Sequence, residues 1–408
     1  MEQQPLVLDP AGRDIHGESG LLRERGPATR VVLPGPIDAW AVTSHSLLKE
    51  LLTDDRVTKD PRAWNAWQRG EITPDMWVYT WVAVNNMFTA AGQDHRRLRK
   101  LITPAFTARR IEALRPVIQK IADQLLDDVA ISSDGTVDLR SSYAHPLPMQ
   151  VICHLFGLPE ELRPRMAQLV EKVFDTTIED AASNFAELQQ MLTGLIASKR
   201  QNPGDDMTSV LIATRDEDGA RLSEAELTDT LLLIISAGFE TTVNLIGNAV
   251  RALLDHPEQR RQVTEAGAKR WNDVVEETLR WEPSVAHLPL RYAVEDIDLP
   301  DGRRIARGEA ILASYAAAGR EPAQHGPDAD RFDIDRFGRE HLAFGYGVHF
   351  CLGAPLARLE ADVALTTLFA RYPDLSPASP AADVLPVESF IVNGAQRIDV
   401  TLNGRTAV

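Results

Sequence analysis

A short stretch near residue 350 has the residue types needed to present a sulfur atom to a ligand. Cys351, one of two cysteines in the 408-residue chain, stands in the sequence HLAFGYGVHFCLGAPLARLE, residues 341–360. A helical pattern starts directly after it, and Pro355 suits the first turn of such a helix. The positive end of a helix and nearby backbone N–H groups favour a thiolate over a thiol. The stretch therefore permits a metal ligand, with a packed apolar thiol as the alternative.

The surroundings of Cys351 indicate which metal it would bind. Zinc is disfavoured, because no second cysteine, CxxC motif or closely spaced histidine pair lies nearby. A single thiolate fits haem iron, and the neighbouring glycines would let the backbone pass close to a large flat ligand. A haem also carries two propionates, whose burial requires cationic or hydrogen-bonding partners. Candidates for these partners are His95 and Arg99 in QDHRRLRKL, Arg291 in HLPLRYA, and His349.

A second set of reactive side chains, AGFETT at residues 237–242, lies within an apolar helical segment. Gly238 costs about 1 kcal/mol relative to Ala in a helix interior, and Glu240 is an acid where apolar residues would pack better. Two accounts are open. Thr241 could bond back to a carbonyl of the preceding turn while Glu240 meets a basic partner. Alternatively, a widened groove could hold a small ligand beside a hydroxyl and a proton-carrying carboxylate.

Helical periodicity dominates the chain that must position these residues. The segment Ser223 to Asp255 predicts one long core helix that starts with a capping box, and residues 108–129 and 162–199 predict amphipathic helices. ATRVVLPGPIDAWAVTS and IDLPDGRRIARGEAILAS predict short strands joined by turns. No repeat or long linker divides the chain. We therefore expect a single mainly α domain with small sheets over residues 1–408.

Composition and charge exclude several classes of protein. The net charge of −16 disfavours binding to nucleic-acid phosphates. The N-terminal residues lack the features of a signal peptide or membrane span, so we expect a cytoplasmic protein with no membrane attachment. Two cysteines supply no disulfide framework, and Cys153 in MQVICHLFGL is expected to be a packed core thiol.

An aromatic segment, residues 62–88, carries four tryptophans with broken periodicity and an internal proline. Aromatic side chains of such density suggest either a lid over an apolar pocket or the ordinary packing of a loop on the core. The sequence favours neither.

Taken together, these motifs resemble those of a soluble bacterial cytochrome P450, and most closely actinomycete members that oxidise polyketides, steroids and related natural products. An ExxR pair on one helical face would say little by itself. The matches, however, occur in the family's order from about residue 85 to residue 355. They are Phe344, Gly347, Cys351 and Gly353 with His349 in the cysteine motif; Ala237, Gly238, Glu240 and Thr241 in the long helix; and Glu277 and Arg280, with Arg331 as the third member of a Glu/Arg/Arg cluster.

The resemblance implies the triangular, mainly α P450 fold with small β-sheets, with haem b between the long helix and the helix after Cys351. Cys351 would be the iron ligand, and its electron donation favours O–O cleavage. Thr241 and Glu240 would be the alcohol and acid that relay protons, whereas the Glu/Arg/Arg cluster would be structural. The implied cofactor-binding residues are His95, Arg99, Ala237, Gly238, Arg291, Phe344, Gly345, His349, Cys351 and Gly353.

The family's layout also suggests a substrate pocket. Its candidate residues are Val84, Asn86, Met87, Phe88, Leu233, Ala237, Val285, Leu288, Phe390 and Ile391. Almost all are apolar, which predicts a mid-sized hydrophobic substrate such as a polyketide, macrolide or steroid. Phe239 departs from the pattern, because relatives often have a polar or smaller residue there. It either packs away from the pocket or narrows it.

The resemblance implies a monomeric monooxygenase that inserts one oxygen atom from O2 into its substrate. We expect electrons to come from NAD(P)H through a separate reductase and ferredoxin, since no flavin or iron–sulfur module is visible. Arg358 and the arginines of RRLRK would dock the acidic ferredoxin. The alternatives are a haem-thiolate peroxygenase or oxidative coupling catalyst, whose specialists often lack the acid–alcohol pair, and a haem-based sensor, which would usually carry an output domain.

Overall fold

Helices form most of the protein in its computed structural model, which describes residues 4–132, 135–175, 180–215, 219–380 and 384–402. The α-helices are Ile15–Glu24, His45–Leu51, Asn65–Gln68, Tyr79–Val82, Gly92–Ile102, Ala108–Glu112, Arg115–Ser132, Pro146–Phe156, Arg163–Phe174, Ala181–Gln201, Met207–Ala213, Glu224–Asp255, Pro257–Ala266, Trp271–Trp281, Tyr315–Gly319, Pro322–His325 and Ala354–Arg371. Short 3₁₀ turns are Pro61–Ala63, Thr103–Phe106, Glu160–Leu162, Gly267–Arg270 and Gly347–His349, and Arg140–Ala144 is a π-helical turn. The mainly α prediction is confirmed.

Small sheets lie beside the helices. In the described part of the chain, the largest sheet orders its strands as Leu6–Val7, Ala28–Leu33, Ile37–Val42, Ala310–Ser314, His287–Ala293 and Val57–Thr58. Two smaller sheets consist of Ser376–Pro377, Asp399–Thr401 and Thr136–Asp138, and of Ile297–Asp298 with Arg304–Ile305. Both sequence-predicted hairpins form, and Gly35 and Gly302 adopt the positive φ that their turns require.

The long helix, Glu224–Asp255, runs through the core as its apolar pattern predicts. Its capping box is present: the Glu226 amide donates to Ser223 Oγ, and the Ser223 amide donates to the Glu226 carboxylate. Among the described helices it alone is long and apolar enough to cross a membrane, but 78% of its most apolar window is buried within the protein. It is therefore a core helix rather than a lipid-facing one.

The helix after the cysteine, Ala354–Arg371, packs against the long helix and against Arg115–Ser132. The amphipathic stretch predicted at 108–129 forms two helices, with a break after Glu112. The stretch predicted at 162–199 also forms two, and its residues 176–179 lie outside the described residues. Cys153 is buried in the main apolar core, as predicted, and burial raises the pKa of its thiol to about 11.

The aromatic segment both packs on the core and lines a pocket. Its first half packs inward: Trp64 stacks on Tyr292 at 5.3 Å between ring centroids, and Trp77 meets Phe390 edge-on at 5.2 Å. Its second half, from Thr80 to Phe88, reaches a large internal cavity. Packing on the core therefore describes the part up to Trp77, and for the part from Thr80, which lines the cavity, a role as a lid stays a prediction.

Candidate active site

A cavity of about 300 Å³ lies between the long helix and the cysteine loop, residues 341–353. One wall consists of cysteine-loop residues and the start of the helix after it. The opposite wall consists of long-helix residues that recur every four positions on one face: Leu233, Ala237, Thr241 and Leu245. The site predicted from the sequence thus lies between the two elements that the resemblance implies.

The cysteine loop is bent by glycines so that the sulfur faces the cavity. Gly345 and Gly347 adopt φ values of +71° and +72°, which residues with a Cβ rarely adopt. A Cβ on Gly347 would also stand 2.8 Å from the Thr53 side chain. The Cys351 amide donates to the Phe344 carbonyl at 2.9 Å, and Arg99 Nη2 donates to a further loop carbonyl at 2.8 Å. These bonds hold the loop open toward the cavity.

Opposing effects act on the Cys351 thiol. Burial raises its pKa, whereas the N–H groups of Gly353 and Ala354 and the guanidinium groups of Arg99 and Arg358 lower it. The donors lie at the start of the Ala354–Arg371 helix, where the helix dipole also favours an anion. A metal ion would supply the remaining stabilisation of the thiolate. No cluster of three or more His, Cys, Asp or Glu that could hold a metal occurs in the described ranges. The described residues of the cavity wall present one cysteine sulfur as a ligand, that of Cys351.

Several basic side chains are buried near the cavity. Among the described residues, Lys59 Nζ, His95 Nε2 and Arg291 Nη1 have no hydrogen-bond partner. Lys59, Arg99, Arg291 and His349 line the cavity, and the His95 ring lies behind that of His349 with centroids 4.2 Å apart. Burial, together with the basic neighbours Lys59, His95, Arg291 and Arg99, lowers the pKa of His349 to about 2. Such a set fits a dianionic cofactor, because orphaned buried donors are costly unless a ligand pairs with them.

A bulge in the strand His287–Ala293 lets two of its side chains reach the same cavity. Leu288 and Arg291 would point to opposite faces of a regular strand. The pairing with Ala310–Ser314 shifts register between them, and both residues line the cavity. The HLPLR motif therefore supplies an apolar contact and a cation together.

On the long helix, Thr241 occupies the cavity wall as predicted. Its Oγ1 donates to the Ala237 carbonyl at 2.6 Å, and Thr242 Oγ1 donates likewise to the Gly238 carbonyl at 3.0 Å. Both threonines, Ala237 and Gly238 line the cavity. Each hydroxyl keeps its lone pairs available to accept a bond from a ligand or water.

Glu240 does not line the cavity, which corrects the expectation that it adjoins the ligand. Its Oε1 accepts from Arg140 at 2.8 Å and from Asn244 at 3.1 Å, and it is 3% exposed. The helical spacing is the reason, since Glu240 and Asn244 share the face next to that of Thr241. The basic-partner account of AGFETT therefore describes Glu240. Phe239 is buried against the His145 ring, 4.9 Å between centroids, so it packs away from the pocket.

The Glu/Arg/Arg cluster forms, but with a different third member. Glu277 and Arg280 are fully buried and bidentately paired at 2.7 and 2.8 Å. The second arginine is Arg336, whose Nε lies 3.4 Å from the Glu277 carboxylate. Arg331 was wrongly predicted: its side chain is exposed, and only its carbonyl takes part, accepting from Arg280 and Arg336.

Most of the predicted substrate residues line the cavity, and two do not. Phe390 and Ile391 are fully buried in a separate core cluster. The Ile391 carbonyl accepts from the amides of Ala286 and His287, which fixes this segment beside the strand, and Phe390 packs on Trp77. The residues that do line the cavity are Val84, Asn86, Met87, Phe88, Leu233, Ala237, Val285 and Leu288.

Asn86 lines the cavity but also holds its loop. Its Nδ2 donates to the Asp229 carbonyl at 3.0 Å, and its Oδ1 accepts from the Phe88 amide at 2.9 Å. The Asp229 carboxylate in turn accepts from the Asn85 amide at 2.7 Å. These bonds tie the end of the aromatic segment to the long helix.

The sequence reasoning missed several residues of the site. Lys59 and Arg140 lie far from the motifs, and no local pattern marks them. Arg336 lies in the same segment as Arg331, DADRFDIDRF at residues 328–337, where the sequence offers two arginines and the wrong one was chosen. Glu360 lines the cavity, is 1% exposed, and its Oε2 has no hydrogen-bond partner among the described residues; burial raises its pKa well above the ordinary value. Glu360 could have been found from the sequence, because it is an acid on an apolar face of the helix after Cys351.

The fold and this site define a haem-thiolate protein: one presented cysteine, buried cations for propionates, and a hydroxyl-bearing core helix across the cavity. The Cytochrome P450 family model matches residues 135–383. The chain is 44% identical to 2-hydroxy-5-methyl-1-naphthoate 7-hydroxylase of Streptomyces carzinostaticus, with 99% of this chain and 98% of the relative aligned. It is 38% identical to vitamin D(3) 25-hydroxylase of Pseudonocardia autotrophica, covering 100% and 98%.

A solved structure agrees with these relatives. CYP154A1 from Streptomyces coelicolor A3(2) superposes with a TM-score of 0.92 at 55% identity, covering 98% of this chain and 100% of that one. The chain belongs to the cytochrome P450 family. It is a haem b-dependent monooxygenase that acts with O2, a redox partner and a small substrate.

Proposed function

We propose that this enzyme hydroxylates a mid-sized, largely apolar natural product of the polyketide, macrolide or steroid type. The observation that carries the proposal is the composition of the cavity wall above the cysteine loop. Most of the side chains it presents are apolar or aromatic: Trp81, Val84, Met87, Phe88, Phe174, Leu233, Leu245, Val285 and Leu288. The relatives' substrates, a methylated naphthoate and vitamin D(3), support this class.

Haem, when bound, supplies the activation of O2. The chain's own residues bind the cofactor, orient the substrate, exclude water and hold protons. Thr241 is the residue we assign to proton delivery, because its hydroxyl stands at the cavity wall and the Ala237 carbonyl fixes its orientation. Glu240 lies on the neighbouring face of the helix in an ion pair with Arg140, so its part in proton delivery is indirect.

The assignment of Thr241 is tested by replacing it with Ala. We expect product formed per NAD(P)H consumed to fall by about tenfold or more, with hydrogen peroxide released instead. Product formation driven by added hydrogen peroxide is the matched control, because it does not need the same proton delivery. Equal coupling in the variant and the wild type would remove Thr241 from the mechanism.

We also propose that a separate ferredoxin supplies the electrons and that the protein works in the cytoplasm. The exposed side chains of the cysteine loop, Val348 and Phe350, offer an apolar contact, and Arg96 is exposed on the helix whose Arg99 bonds to the Phe350 carbonyl. A patch that is apolar at its centre and basic at its edge suits an acidic partner.

A further inference from the structure

Lys59 is a buried cation that no motif of the sequence marks. It is 3% exposed, lines the cavity, and follows the edge strand Val57–Thr58. Its Nζ lies 3.3 Å from the centroid of the Phe88 ring and has no hydrogen-bond partner among the described residues. A contact with an aromatic face offsets only part of the cost of burying an ammonium group.

A second cation stands next to Lys59. Val57 pairs with Ala293 and Thr58 with Tyr292 in an antiparallel ladder. Continuing that register places Lys59 opposite Arg291, whose Nη1 also has no hydrogen-bond partner in the part of the chain that the structure describes. Like charges directly opposite on neighbouring strands repel, so this arrangement is unfavourable unless an anion lies between them.

The chain itself does not supply that anion. Among the described residues that line the cavity, Glu360 is the one acid, and burial keeps it neutral by raising its pKa well above the ordinary value. Asp60, the neighbour in sequence, is already bound by the Arg62 guanidinium at 2.5–2.9 Å. In the absence of a partner, burial lowers the pKa of Lys59 well below its usual range, and Arg291 lowers it further.

We propose that Lys59 donates a hydrogen bond to a carboxylate of a bound molecule, and that this carboxylate is a propionate of the haem. Its basic neighbours favour this source, because Arg291 and His349 are the groups whose positions suit the propionates. The other source of the same chemistry is an acidic substrate, which Phe88 would bring within reach of the ammonium group. Lys59 would then set specificity for aromatic acids rather than retain the cofactor.

The experiment compares the holoenzyme with its Lys59→Met and Lys59→Gln variants. Haem transfer to excess apomyoglobin, without substrate, is expected to be about tenfold faster for Lys59→Met, because a charge-assisted hydrogen bond is lost. Lys59→Gln keeps a hydrogen-bond donor without the charge, so its haem transfer rate should lie between those of the wild type and Lys59→Met. It replaces Lys59→Met in the comparison if the Met variant does not retain haem. Lys120→Met, which removes an exposed lysine, should release haem at the wild-type rate.

A second arm identifies the source of the carboxylate. Dissociation constants of 1-naphthoate and 1-naphthamide are measured by the spin-state shift of the haem. The proposal expects their ratio to be the same in wild type and Lys59→Met. If Lys59→Met releases haem at the wild-type rate but prefers 1-naphthoate less than the wild type does, the carboxylate belongs to the substrate. That result would overturn the haem assignment. If neither quantity changes, Lys59 binds no carboxylate. The spectrum of the reduced wild-type enzyme with carbon monoxide reports thiolate ligation. It therefore tests the haem–thiolate assignment separately from the role of Lys59.

Discussion

Glu360 shows how burial alone can set the charge state of a residue beside the active site. No basic partner within the described ranges holds its side chain ionised, and burial raises its pKa well above the ordinary 4.5. The folded protein therefore holds a proton that the unfolded chain has lost, from about pH 4.5 upward. Stability must fall as the pH rises through that window.

The consequence can be measured by removing the titrating group. In the wild type, protonated Glu360 should make the free energy of unfolding fall by about 1.4 kcal/mol per pH unit above pH 4.5. In Glu360→Gln, we expect this contribution to the pH dependence to be absent. Urea titrations of wild type and variant between pH 5 and 8 would measure both slopes. Parallel curves would mean that Glu360 is ionised in the folded state.

At the scale of elements, the Glu277–Arg280 pair joins the helix Trp271–Trp281 to the segment that leads to the cysteine loop. Arg280 donates to the carbonyls of Gly319 and Ala329, and Arg336 donates to those of His325 and Asp328. The buried charges are thus satisfied by several loops at once. Loss of one member leaves a charge unpaired and the loops unanchored.

Arg336 and Arg331 form a matched pair for testing this role. Arg336→Met should lower the free energy of unfolding by about 3–5 kcal/mol, because the buried Glu277 carboxylate loses one of its two cationic partners. Arg331→Met removes an exposed side chain and keeps the carbonyl, so a change within about 0.5 kcal/mol is expected. Chemical denaturation of the holoenzymes measures both, and equal losses would contradict the revised cluster.

At the scale of the whole molecule, the exposed charges near the cysteine loop bear on docking of the redox partner. Arg358, expected to dock ferredoxin, is bidentate to Glu276 at 2.5 and 2.9 Å and lies over the Phe344 ring, so its docking role stays a prediction and its charge is already paired. Burial would raise the pKa of Glu276, but Arg358 and His341 outweigh it and lower that pKa to about 2. In the helix Gly92–Ile102, His95 and Arg99 are four residues apart and share the inward face, whereas Arg96 lies on the exposed face.

We therefore expect Arg96→Glu to slow electron transfer from ferredoxin and to weaken its dependence on ionic strength. Stopped-flow reduction of the substrate-bound enzyme at several salt concentrations measures both effects. Arg13→Glu, at an exposed arginine of the N-terminal segment, is the control and should retain the wild-type salt dependence. A rate constant for Arg96→Glu equal to that of the wild type at low salt would remove Arg96 from the docking surface.

The sequence by itself determined the features that depend on local spacing. The bend of the cysteine loop, the long capped helix and the two hairpins can each be predicted from a few adjacent residues, because glycine freedom, capping and helical periodicity act over short distances. The motifs together also indicated haem and the family.

Only the tertiary structure decided which distant side chains complete those motifs. Arg336 rather than Arg331 meets Glu277, and Arg140 is the basic partner that Glu240 meets. Phe390 packs against Trp77 and not the ligand, and Lys59 comes to lie beside Arg291. A buried charge is satisfied by whichever partner the fold brings within hydrogen-bond reach, and that partner is set by packing and strand register rather than by sequence separation.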